Sequence, residues 1–189
     1  MTFIRTFVAI EASTDQRDRA GRLIQRLKQA DAHVKWVAAE NLHWTLKFIG
    51  NVDETDVHNV CRAVNSVVET IPSFELDCVG VGAFPETLRP RTIWAGAGLG
   101  SEPATQLQTG VEKSLKSLGY PEEVRRFHLH LTLGRVRGGG PATQQLGKLI
   151  TQHHDFELGK LVVDEVVVFS SQLKKNGPRY TALARTNLA

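Results

Sequence analysis

The chain has 189 residues, a formal net charge of +3, 41% hydrophobic and 23% charged residues. That balance excludes a disordered chain and provides for a substantial core, in one domain or in two small fused lobes. The mild basic excess suits an anionic ligand but lacks the charge density of a dedicated nucleic-acid binder. No apolar run approaches the roughly 20 residues that cross a bilayer. The first residues enter an alternating strand with no apolar leader core, so a cytoplasmic protein with no membrane association is expected. The two cysteines, Cys61 and Cys78, form no C-x-x-C pair and read as reduced core thiols.

In chain order, residues 2–10 alternate as a strand, and Ser13-Thr14-Asp15 caps a helix with the stripe Ala20, Leu23, Ile24 and Leu27. Residues 34–37 form a short strand, followed by a second strand over 41–49. Asp53 caps a helix carrying Val57, Val60, Cys61, Val64 and Val67, which Pro72 ends. Strands at 74–84 and 91–98 flank a turn-rich stretch at 85–90. A helix spans about 103–118, with Gly119 just beyond its end. A strand over 127–136, a glycine-rich loop at 137–141 and a helix near 143–153 come next. Strands over 156–173, with breaks, and 179–186 complete the series.

One pattern occurs twice. Residues 42–46 read Leu-His-Trp-Thr-Leu and residues 129–133 read Leu-His-Leu-Thr-Leu. Alternation puts His43, Thr45 and Lys47 on one strand face, with Leu42, Trp44, Leu46 and Phe48 on the other. Likewise His128, His130 and Thr132 oppose Leu129, Leu131 and Leu133. Each strand therefore offers an imidazole beside a hydroxyl above an apolar underside. The broadly similar element order of the two halves implies two α+β lobes, related by a pseudo-repeat, whose motif strands meet across a central cleft.

Two histidines and two threonines around one small anion suit the opening of a cyclic phosphodiester. One neutral imidazole takes a proton from water while the other, protonated, supplies one to the departing oxygen. Thr45 and Thr132 are placed to hold the non-bridging oxygens. The residue pattern leaves open which histidine is acid and which is base. Neither metal nor cofactor is required, although His128 and His130 at i, i+2 with His43 would make an alternative metal set. A non-catalytic binder of RNA ends is another alternative. Strict alternation turns Arg135 away from His130, and only a bulge or strand end at Gly134 would swing it into the cleft. Phe48 holds the same offset from His43; it reads as core, with base stacking as the alternative. His33, His58, His153 and His154 read as solvated surface.

With both motifs placed, the chain resembles the two-histidine phosphoesterase superfamily, and within it the RNA 2′,3′-cyclic phosphodiesterases also called 2′-5′ RNA ligases. The likeness runs through residues 5–10, 36–50, 82–85, 90–96 and 127–136, and on to Ser170-Ser171, Gly177-Pro178 and Tyr180. It implies a single bilobal domain over residues 1–189, with two antiparallel sheets facing a central cleft and helices outside. It also implies metal-free hydrolysis of RNA-terminal 2′,3′-cyclic phosphates, or small cyclic nucleotides, to 2′-phosphomonoesters, and 2′-5′ joining as a reverse reaction. By the resemblance His43 is the proton donor, His130 the proton acceptor, and Thr45, Thr132 and Arg135 contact the substrate. A monomer is expected. Members of the family often have Pro before the second histidine; Leu129 keeps its N–H, which predicts more continuous pairing there.

Overall fold

The computed structural model describes residues 2–175 and 177–189. Its strands are β1 (Phe3–Glu11), β2 (Val34–Trp36), β3 (His43–Asp53), β4 (Phe74–Phe84), β5 (Thr92–Ala97), β6 (His130–Val136), β7 (Glu157–Val163), β8 (Glu165–Lys174) and β9 (Gly177–Asn187). Between them lie α1 (Thr14–Leu27), α2 (Val57–Val68), α3 (Ser101–Ser117) and α4 (Pro141–Gln152).

Local signals explain most boundaries. Ser13 closes a capping box: its Oγ accepts from the Gln16 N–H at 3.2 Å, and the Gln16 side chain accepts from the Ser13 N–H at 3.4 Å. The same Gln16 oxygen accepts from the Trp44 indole at 3.3 Å, which fastens α1 to the first motif strand. Asp53 does not cap α2. Its carboxylate instead takes the N–H and hydroxyl of Thr55 and starts a 3-10 turn over Glu54–Asp56, so the helix begins only at Val57. Pro141 opens α4, where its missing N–H costs nothing. Strand β6 starts at His130, three residues later than the alternation predicts.

The strands pair in the order β7-β4-β5-β6-β3-β1-β8-β9, with β2 also pairing with β6. They form the expected two-lobed α+β fold as two antiparallel half-sheets. One holds β7, β4, β5 and β6; the other holds β3, β1, β8 and β9. The two are continuous at a single register pair, Trp44 with Leu131. Beyond it β3 leaves the β6 edge, and β2 takes that edge at Val34, Lys35 and Trp36, opposite Val136, Arg135 and Gly134.

The lobes are not the two halves of the chain. Strands β8 and β9, late in sequence, complete the sheet that carries β3, whereas β4 and β5 extend the one that carries β6. The helices interleave similarly: α1 packs on β7 and α4 on β4, while α2 lies against β8 and β9 and α3 against β3. One apolar cluster runs beneath both lobes and includes Val8, Ile10, Trp44, Leu46, Leu131 and Leu133. Truncating any of these buried leucines to Ala would cost about 2–5 kcal/mol. On the opposite face of β1 and β8 a smaller cluster gathers Phe7, Ala9, Val167 and Phe169 under Tyr180. The helix-covered face thus carries the main core, leaving the other face for chemistry. Cys78 is buried, which pushes its thiol up to about 12; Cys61 is half-buried, and both are free.

Candidate active site

His43 and His130 open their strands at the single junction between the half-sheets, and the following residues Trp44 and Leu131 form that junction. Both histidines, with Thr45, Thr132 and Arg135, line one cleft of about 400 Å³. The alternation that buries Trp44 and Leu131 leaves the His-x-Thr faces half-exposed toward the cleft.

The two imidazoles are held in the same way. His43 Nδ1 lies 2.7 Å from the main-chain oxygen of Asn41, and His130 Nδ1 lies 2.7 Å from that of His128. A carbonyl can only accept, so Nδ1 carries the proton and Nε2 is left for substrate. At the second motif this explains the late strand start. The His128 carbonyl serves the imidazole and not a neighbouring strand, and the Leu129 side chain turns into the main core. The more continuous pairing predicted for Leu129 does not occur.

Aromatic rings flank each histidine. Phe7 lies 4.9 Å from the His43 ring, with Tyr180 edge-on at 5.4 Å. Phe84 stands edge-on to His130 at 5.3 Å. Burial lowers the pKa of both imidazoles from the ordinary value, and the backbone hydrogen bond opposes it in each. Among the smaller influences, the His130 charge lowers His43 and Glu11, weaker still, raises it, whereas the charges of His128 and Arg135 both lower His130. Burial also raises the Tyr180 phenol, which therefore keeps its proton at neutral pH.

Beyond the threonines, strict alternation fails in both copies. Trp94 of β5 faces Thr132 and Ile93 faces Gly134, so Leu133 is an extra residue in β6. Ala9 of β1 faces Thr45 and Val8 faces Lys47, so Leu46 is the extra residue in β3. Each is a β-bulge, and each reverses the faces that follow. Arg135 is thereby turned into the cleft, where it reaches the Thr92 hydroxyl at 3.4 Å. Gly134 is needed at the bulge because a Cβ there would stand 2.8 Å from the Trp36 ring. In β3 the same reversal corrects two expectations. Lys47 does not share the histidine's face but is 5% exposed, and Phe48 is not core but 63% exposed along the cleft.

Lys47 is instead consumed structurally. Its Nζ lies 2.6 Å from Glu112 Oε2 on α3 and 2.8 Å from the Pro121 carbonyl, in the segment leading to the second motif. His128 faces the Trp94 ring at 4.9 Å, and its carbonyl positions His130. Among the described residues no group of three or more His, Cys, Asp or Glu is placed to hold a metal ion. His33, His58 and His154 lie at the surface; His153 is half-buried, with Nδ1 on the Leu149 carbonyl at 2.9 Å.

Several cleft residues carry no signal in the sequence motifs. Arg5, Lys35, Arg137, Phe7 and Tyr180 also line it, and no Asp or Glu does so among the described residues. Arg135 and Lys35 are cross-strand partners, a pairing invisible until β2 is placed on β6. Phe48 was findable: it repeats the offset of Arg135, and a bulge in one copy argues for a bulge in the other.

Fold and site together define a two-lobed enzyme of the phosphoesterase type. The chain belongs to the LigT-like phosphoesterase family, whose model matches residues 10–94 and 99–180. It is 35% identical over 179 residues to an RNA 2′,3′-cyclic phosphodiesterase of Methanothermobacter thermautotrophicus, covering 94% of this chain and 95% of that one. It is also 35% identical over 175 residues to the protein of that name from Aeropyrum pernix, covering 89% and 96% of the two chains. Among crystal structures, TT0787 of Thermus thermophilus superposes with a TM-score of 0.82 at 22% identity, covering 98% of each chain. E. coli LigT complexed with 3′-AMP gives 0.79 at 24% identity, covering 100% of this chain and 99% of that one. At these identities the structural likeness is one of fold.

Proposed function

We propose that this protein hydrolyses RNA-terminal 2′,3′-cyclic phosphodiesters to 2′-phosphomonoesters by acid–base catalysis between His43 and His130. The observation that carries the reading is the matched pair of imidazoles in one cleft, each with Nδ1 tied to a carbonyl and Nε2 free. The names of the relatives support the substrate class. So does the cleft's charge, with Arg5, Lys35, Arg135 and Arg137 in its lining.

In this mechanism neutral His130 takes a proton from water at Nε2, and the water oxygen bonds to phosphorus. The P–O3′ bond breaks, and protonated His43 delivers its Nε2 proton to O3′. The phosphate remains on O2′, and proton exchange with solvent resets both rings. Thr45, Thr132 and Arg135 hold the non-bridging oxygens, whose charge grows toward the transition state. Of the two, only His43 has a carboxylate, Glu11, that favours its protonated form, against the larger effects of burial and the His130 charge; Arg135 favours the neutral form of His130, the base. With a ribose 5′-hydroxyl replacing water at His130, the same displacement joins two RNA ends through a 2′-5′ bond.

The test is turnover of a short oligonucleotide ending in a 2′,3′-cyclic phosphate, with a chelator present. A 2′-monoester is the expected product. A 3′-monoester would reverse the leaving group, and dependence on added metal would overturn the two-histidine mechanism.

A further inference from the structure

A second cavity, of about 360 Å³, lies on the far side of His43 from the cationic cleft. Asn41, His43, Pro178 and Tyr180 line both spaces and form the partition between them. The partition is braced: Asn41 Nδ2 donates to the Pro178 carbonyl at 3.2 Å, while the Asn41 carbonyl accepts from His43.

The charges of the two spaces differ. The lining of the cleft has four cations and no carboxylate among the described residues, as phosphate chemistry demands. The lining of the second cavity has two carboxylates, Glu11 and Glu40, and two guanidiniums, Arg179 and Arg185. Arg185 is committed, with Nη1 2.7 Å from Glu11 and 2.5 Å from Glu165. Glu40 and Arg179 are exposed, and among the described residues neither side chain has an ion-pair or hydrogen-bond partner. A near-neutral hollow with an aromatic wall, one available carboxylate and one available guanidinium suits a nucleobase better than a phosphate. Aromatic and guanidinium planes stack bases, and a carboxylate accepts from an exocyclic amino group.

We propose that this cavity binds the base of the nucleotide that precedes the cyclic phosphate, with Glu40 accepting from its amino group and Arg179 stacking on it or meeting the connecting phosphate. The inference rests on the hydrolysis proposed above. If His43 protonates O3′, the terminal ribose lies on the His43 side, and its 5′ connection leads past the partition. The protein then prefers RNA ends to cyclic mononucleotides, and amino-bearing bases to uracil at the preceding position.

The experiment compares kcat/KM for cytidine 2′,3′-cyclic monophosphate with that for dinucleotides ending in the same group, preceded by guanosine or uridine. The guanosine dinucleotide is expected to exceed the mononucleotide by about tenfold or more, and the uridine dinucleotide to fall between them. Glu40→Ala and Arg179→Ala should erase these advantages and leave mononucleotide turnover unchanged, which also shows that the variants are folded. Equal kcat/KM for all three substrates would overturn the subsite. So would equal losses on mononucleotide and dinucleotide, which would put the terminal base in the cavity. No turnover of any substrate would overturn the hydrolysis itself.

Discussion

Phe48 and Arg135 are pseudo-equivalent: each stands five residues after its motif histidine, just past a bulge, exposed toward the same cleft. One is an apolar ring and the other a guanidinium, so they break the symmetry that the histidines keep. Arg135→Ala should lower kcat/KM by about 1.5–3 kcal/mol, roughly 10- to 150-fold, the worth of a charge-assisted hydrogen bond. Arg135→Lys should recover only part. Phe48→Ala should raise KM by a comparable factor, since base stacking is worth about 1–3 kcal/mol, with kcat preserved. Steady-state kinetics on one oligonucleotide separates the two patterns.

His43→Ala and His130→Ala should each reduce kcat by about 10²- to 10⁴-fold, the range of general acid–base catalysis. Both side chains are only half-buried at a cleft wall, so thermal unfolding should move little. Near-normal turnover by either variant would end the two-histidine mechanism.

Both imidazoles titrate below the ordinary value near 6.5. The kcat/KM profile should therefore be a bell with its maximum on the acid side of that value. It falls at low pH as His130 gains a proton and at high pH as His43 loses one. The sign for stability follows from the same shifts. Below about 6.5 the unfolded state binds more protons than the folded state, so stability declines as pH drops through the folded-state values. Replacing both histidines with Gln should flatten that segment of a stability–pH curve. A rate maximum above about pH 7.5 would contradict the burial of both rings.

Gly134→Ala tests the bulge. Its Cβ would stand 2.8 Å from the Trp36 ring and 2.9 Å from Val34 Cγ1. Forced contact of this kind costs about 1–3 kcal/mol. The midpoint of urea unfolding should fall accordingly, and kcat/KM should drop toward that of Arg135→Ala because the strand no longer turns Arg135 inward.

The Lys47–Glu112 pair is buried, with side chains 3% and 10% exposed. Lys47→Met strands the Glu112 carboxylate and should destabilise by about 3–5 kcal/mol; adding Glu112→Leu should restore most of that loss. Urea denaturation of the single and double variants gives the coupling directly.

Much of this site was legible in the sequence because a strand's period of two fixes which side chains share a face. His43 with Thr45 and His130 with Thr132 needed only that rule. It stopped being valid at Leu46 and Leu133, where one inserted residue reverses the face; hence Lys47 and Phe48 were placed wrongly and Arg135 depended on a bulge. The carbonyls of Asn41 and His128 had no signal at all, since every residue has a carbonyl and only folding shows which one meets an imidazole. The lobes were legible as a repeat, but their composition was not, because hydrophobic pattern says nothing about which distant strand completes a sheet edge.

That interleaving bears on synthesis. The β1 strand, beside the one that carries His43, keeps an unpaired edge until β8 has been made, far along the chain. Until then the nascent chain holds an apolar strand edge open to pairing with other chains. Both imidazoles are translated before the wall that contains Tyr180 exists. The emerging chain therefore carries both imidazoles long before their cleft is complete, because one wall of that cleft arrives only with the final hairpin.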